Sequence, residues 1–173
     1  MNDLDQELDL LSPIEFANLP DSVYTAEVGA PRNRKKFVGF YLGDKLFAVS
    51  ADQVSEIAHP SAITPLPNSP HSLLGLTAIR GDIVAVVNIK KLLHEDISRS
   101  DGKAKLIVLR AREKETKIGF PVDRMHEVVM IADDEVEPCG ESTESHIVGR
   151  LVQEAGVFHL IGTDKLLEGL EPD

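Results

Sequence analysis

The chain has 173 residues, of which 42% are hydrophobic but only 5% aromatic, so a sizeable core built from Val, Ile and Leu is expected. The 29 acidic residues outweigh 18 basic ones, and the net charge of -11 repels phosphate backbones and anionic lipid, which argues against nucleic acid or membrane surfaces as partners. A single cysteine, Cys139, excludes an intramolecular disulfide and fits a reducing compartment. No apolar run reaches the ~18 residues of a membrane span, and the acidic N-terminus lacks the positive charge of a signal peptide. A cytoplasmic protein without membrane insertion is expected.

Residues 1–35 read as an acidic, disordered leader, in which Asp3, Asp5, Glu7 and Asp9 surround scattered leucines and Pro13, Pro20 and Pro31 interrupt any long helix. Leu4, Leu8, Leu11 and Ile14 have helical spacing, so a short amphipathic helix is the alternative. The basic cluster Arg32, Arg34, Lys35, Lys36 lacks interleaved aromatics and reads as a solvated linker. From residue 36 to 170 the chain turns to short β runs. FVGFYL and LFAV flank a hairpin connection at Gly43, AITPLP reads as an irregular extended segment, and NSPHSLLG as one capped helical turn ended by Gly75. DIVAVVNI reads as a strand buried on both faces, followed by the short helix KKLL. After the polar break SRSDGK come the strands KLIVLRA, TKIGFPV and HEVVMIA, an acidic loop, the strand GVFHLIG and the helix TDKLLEGL.

The chain repeats itself. GLTAIRGDIVAVVNIKKLL, from Gly75, and GRLVQEAGVFHLIGTDKLL, from Gly149, both begin with Gly and end in K-L-L, at an offset of 74 residues. Phe47–Ile57 lies over Ile118–Val128 at an offset of 71, with Asp52 on Asp123 and Glu56 on Glu127. Two blocks in the same order point to two similar mainly β subdomains, each too small to bury much alone and therefore sharing an interface.

Motifs for chemistry are missing. The six histidines form no close helical pair or CxxC-type cluster, and nucleophile elbow, Walker loop and dinucleotide fingerprint are all absent. Cys139 stands in an acidic loop that blunts a thiolate, and the Asp133–Glu137 run misses the EF-hand spacing. No catalytic residue, metal or cofactor is expected, and an enzyme is the minority reading.

The segment GLTAIRGDIVAVVNIKKLL resembles the signature of the CheW-like family, bacterial chemotaxis coupling proteins. FVGFYLGDKLFAV resembles the family's first hairpin, V-S-E-I from Val54 to Ile57 its V-x-E-I, and GFPVDRMHEVV its G-x-x-V-D-x-V-x-x-V. The resemblance runs from about Phe37 to Leu167. It implies an all-β fold of two intertwined five-stranded SH3-like barrels with short helices. It also implies a non-enzymatic adaptor in signal transduction, joining the cytoplasmic tip of methyl-accepting chemoreceptors to the CheW-like regulatory domain of the histidine kinase CheA, and contacting other CheW-like domains. By the same resemblance Val54, Glu56, Ile57, Leu74, Ile79, Arg80 and Gly81 would line the receptor-binding groove, and Leu151, Val152 and Val157 would meet the kinase. Arg80 has two candidate roles, a groove contact and a structural ion pair with Glu56. Ala78 stands where the family usually has Asn, and Asn88 where it has Asp, which leaves room for a parallel pathway such as twitching motility, or for a kinase-inhibiting variant.

Overall fold

The structure, a computed structural model, describes residues 33–94, 104–110, 117–140 and 146–168. Residues 1–32, the polar break Ser98–Lys103, part of the acidic loop (141–145) and the last residues (169–173) lie outside that description. Strand β1 (Arg34–Leu42) and β2 (Lys45–Ser50) form a hairpin, and a 3-10 turn (Ala51–Gln53) leads to β3 (Val54–Ala58). A second hairpin joins β4 (Leu73–Ile79) to β5 (Asp82–Val87) and runs into helix α1 (Ile89–Leu92). Then follow β6 (Lys105–Leu109), β7 (Lys117–Val122), β8 (Arg124–Ala132), a 3-10 turn (Asp133–Glu135) and the short β9 (Glu137–Pro138). The hairpin of β10 (Ile147–Gln153) and β11 (Gly156–Ile161) and helix α2 (Thr163–Glu168) end the described chain.

The strands pair as two sheets, β8-β1-β2-β11-β10-β9 and β3-β6-β7-β5-β4. If β1 to β5 of the first half are matched in order with β6, β7, β8, β10 and β11 of the second, each sheet order becomes the other. Both sheets contain one parallel pair, β2 with β11 and β5 with β7. Each half therefore gives two strands to the sheet of the other, and the fold is two intertwined five-stranded subdomains, with β9 added at one edge. The repeat is close in detail. Leu73 and Ile147 open equivalent strands, Val87 and Ile161 close them, and both hairpins carry an irregularity at the glycine, Gly75 and Gly149.

Period-two alternation sends neighbouring side chains of the central strands into different cores. Val38, Phe40 and Leu42 of β1 and Ile107 and Leu109 of β6 meet between the sheets with Phe47, Val49, Phe120, Val122 and Leu166. Their neighbours turn the other way: Leu46, Ala48, Phe158 and Leu160 form a core outside one sheet, and Leu106, Val108, Val84, Val86 and Ile79 one outside the other. Strands buried on both faces need unbroken apolar runs, which is why KLIVL and LFAV read that way.

Three expectations are corrected. NSPHSLLG forms no helical turn: Leu73, Leu74 and Gly75 belong to β4, whose edge is covered by the preceding extended segment through paired backbone bonds between Thr64 and Leu76 (2.8 and 2.9 Å). Its prolines leave few donors for anything but such a bridge. Arg34, Lys35 and Lys36 are not a linker but the start of β1, where Lys35 pairs with Asp133 at 2.9 Å and Arg34 with Glu135 at 3.5 Å. In DIVAVVNI, Ile83 is 61% exposed, and Asn88 leaves the strand to cap α1, accepting from the Lys91 N–H. Strand β10 lies where the turn signals of the sequence point to no element.

Gly75 takes φ +146°, and a Cβ there would run into the Thr64 carbonyl. At Gly81, with φ +92°, a Cβ would meet nothing within 4 Å. Gly75→Ala is therefore expected to cost about 2–4 kcal/mol and Gly81→Ala about 1 kcal/mol in urea unfolding. A second expectation concerns His146, whose ring Nδ1 is buried without a hydrogen-bond partner. Burial lowers its pKa from 6.5, a hydrogen bond to the Lys165 backbone opposes this, and the charges of His94 and Lys165 lower it further. The unfolded chain takes up this proton first, so the stability tied to the neutral ring is fully present above the ordinary histidine value and is lost as pH falls below it. Urea titrations at pH 7 and pH 5 should show His146→Gln losing less stability over that interval than the unchanged chain.

Candidate functional site

The β4–β5 hairpin closes on Arg80-Gly81, with Ile79 paired to Asp82. Both turn residues have positive φ, +51° and +92°, the geometry of a tight turn whose twist matches the strands, and one that favours Asn-Gly or Gly-Gly. Arginine at its first position is strained by about 1–2 kcal/mol. Gly81 thus serves the turn, and no close approach requires it.

The strained backbone aims Arg80 at Glu56. Its Nε lies 3.4 Å from Glu56 Oε2, and the carboxylate is 7% exposed whereas the arginine is 67% exposed. Three steps in the sheet β3-β6-β7-β5-β4 separate β3 from β5, about 14 Å if it were flat. The contact forms because this sheet curls around its outer core, where Ala58 of β3 and Ile79 of β4 share one cluster. Among the described residues no backbone ladder joins β3 to β4, so the ion pair spans the gap that a closed barrel would fill. The alignment is poor: Glu56 Oε2 has no hydrogen-bond partner despite its burial. Most of the guanidinium therefore remains available at the surface beside a carboxylate shielded from water. On the other side of the turn Asp82 meets Lys117 of β7 at 2.6 Å, which pins the hairpin to its parallel neighbour.

The other expected groove residues divide by depth. Val54 (5%) and Ile79 (6%) are core, Ile57 and Leu74 are partly buried against the cores, and none stands proud of the surface. Of the three residues expected to meet a kinase, Leu151 is buried against Phe158 and its neighbours, because β10 alternates and Leu151 points inward. Val152 and Val157 are 68% and 41% exposed and face each other across the β10–β11 hairpin. The repeat places Ala78 and Ile83 at the equivalent cross-strand pair of the β4–β5 hairpin, also at the surface. Ile83 escaped the sequence reading because its run was assigned to a strand buried on both faces. Applying the offset of 74 to Val157 would have found it.

The two hairpins differ in charge. Glu154-Ala155 takes the place of Arg80-Gly81, and among the described non-glycine residues only Asn68, Arg80 and His94 have positive φ. The carboxylate equivalent to Glu56, on Glu127, is exposed. Next to Glu127, His126 stands edge-on to Phe158 (5.3 Å) and tilted on Tyr41 (5.6 Å), with the Arg124 guanidinium 4.1 Å from the Tyr41 ring.

Removal of Arg80 strands a shielded charge, whereas the pair itself is weak because one partner is mostly in water. Arg80→Ala is expected to lower stability by about 1–2 kcal/mol, net of the turn strain relieved. Adding Glu56→Gln to that variant should recover most of the loss, as read from a double-mutant cycle in urea.

A family model described as a CheW-like domain matches residues 36–171. The chemotaxis protein CheW of Thermotoga maritima is 34% identical over 100 residues, a match that covers 58% of this chain and 64% of the relative's length. Protein FrzA of Myxococcus xanthus is 25% identical over 159 residues, covering 86% of this chain and 93% of that protein. The scaffolding protein TtCheW of Thermoanaerobacter tengcongensis shares the fold, with a TM-score of 0.66 at 23% identity over 80% of this chain and 90% of that one. The intertwined repeat and the family match over residues 36–171 agree, and the chain belongs to the CheW-like family.

Proposed function

We propose that the chain is a non-enzymatic cytoplasmic adaptor that couples the tip of chemoreceptors to a CheA-type histidine kinase through the kinase's CheW-like regulatory domain. The observation that carries this reading is a pair of equivalent but chemically distinct surfaces, one on each hairpin. Ala78 and Ile83 flank a cationic turn, and Val152 and Val157 flank an acidic one. An adaptor that joins two different proteins needs two exposed apolar surfaces that do not bind the same thing, and the charges provide that distinction.

In this reading Arg80 and Gly81, with Glu56, Ile57 and Leu74 beside them, form the receptor groove, and Val54 and Ile79 shape it from beneath. The exposed guanidinium offers donors to a helical receptor tip while Glu56 keeps it oriented. Val152 and Val157 form the kinase contact, and burying each side chain is worth ~1.5–3 kcal/mol if it is wholly desolvated. A second reading, an adaptor of a pathway parallel to standard chemotaxis, is favoured by the likeness to FrzA, which covers most of both chains. Asn88 supports no distinction between the two, since Asn caps a helix as well as Asp does.

Sedimentation with receptor-bearing membranes and purified kinase tests the proposal. The unchanged chain should bring both into one pellet. Val152→Lys should weaken kinase binding by about tenfold or more and leave receptor binding intact, and Arg80→Ala should do the reverse. Correctly folded protein that sediments with neither partner would overturn the adaptor reading.

A further inference from the structure

The repeat aligns two aspartates, Asp52 and Asp123, and the adaptor reading uses neither. Asp52 lies exposed in the 3-10 turn where the chain leaves β2 for β3. Asp123 occupies the equivalent crossing, where a single residue separates the end of β7 in one sheet from the start of β8 in the other. Its surroundings are entirely different. The Gly43 N–H in the β1–β2 turn donates to Asp123 Oδ2 at 2.6 Å. Lys90 Nζ, from α1, donates to both carboxylate oxygens, at 3.2 and 2.9 Å. The Asp123 N–H donates in turn to the Tyr41 carbonyl at 3.0 Å, and the next residue, Arg124, lies over the Tyr41 ring.

We propose that Asp123 is a latch: its one carboxylate holds the β1–β2 turn and helix α1, both from the first half, against the second-half crossing between the sheets, so that turn and helix are released together when it lets go. A charge-assisted bond to a partly buried carboxylate is stronger than a neutral one, and three bonds from two donors, Gly43 and Lys90, fix its orientation. Gly43 and Lys90 belong to separate elements of the first half, and both meet this one carboxylate. The corresponding crossing at Asp52 has no such anchor among the described residues, and the latch is therefore one-sided.

Hydrogen exchange followed amide by amide in the full chain tests this. Asp123→Asn should speed exchange at Gly43, at Leu92 of α1 and at Leu93, which caps it, by about tenfold, with the β10–β11 hairpin still protected. Lys90→Met should speed exchange at Gly43 as well, through the loosened carboxylate. The double variant should resemble either single one, and Asp52→Asn should change nothing. The latch is refuted if each substitution affects only the amides next to it, if the two effects add, or if all amides speed up equally. Should Asp123→Asn fail to fold, the response of Gly43 to Lys90→Met decides alone.

Discussion

Neither half of this chain can finish a sheet by itself. β1 and β2 belong to the sheet completed by β8, β10 and β11, and β6 and β7 to the one completed by β3, β4 and β5. The exchange forces four strands into the middle of the molecule, with apolar side chains on both faces. One face fills the core shared between the sheets and the other fills a core private to each. Half the chain would leave the shared core open, and so much exposed apolar area is incompatible with a stable small domain. The remaining features are arranged around this constraint. The short helices follow the outer hairpins and drop Ile89, Leu92 and Leu166 into the shared core, and the hairpins, needed least by that core, reach the surface.

That division explains why the exposed apolar residues occur where they do. Val152, Val157 and Ile83 lie on outer hairpins with one face on a private core and the other in water. A central strand has no face to spare for a partner, whereas an outer hairpin has one, and a twisted two-residue turn at its end presents charge beside it. The interaction surfaces proposed above sit on the only kind of element in this topology that can carry them without weakening the shared core.

Much of this was legible in the residues. Runs such as KLIVL and LFAV announce strands, and the offset between Gly75 and Gly149 announces the repeat before any pairing is known. The pairing itself is a different matter. Nothing in Leu46–Ala48 says that its parallel neighbour is Phe158–Leu160, more than a hundred residues away, because alternation fixes which way a side chain points and not which strand lies beside it. Depth failed for the same reason. Val54 and Ile79 match a family groove by position, yet which face of β3 and β4 is inside depends on the curl of the sheet. The basic cluster at Arg34–Lys36 was misread because its acidic partners, Asp133 and Glu135, lie about a hundred positions along the chain.

The repeat also separates what a position must do from what it is free to do. Side chains in the shared core keep apolar character in both halves, Val49 answering to Phe120, Val87 to Ile161 and Leu92 to Leu166. The charged positions diverge instead. Glu56 is buried and paired while Glu127 is exposed; Arg80 heads a strained turn while Glu154 heads an ordinary one. The Asp123 carboxylate gathers two donors in three bonds while Asp52 gathers none among the described residues. A symmetric pair of ion pairs would have served the fold equally well. Divergence at the charges with agreement in the core is what physical selection on two different ends of one body would leave, since charge sets which partner docks while apolar burial holds the body together.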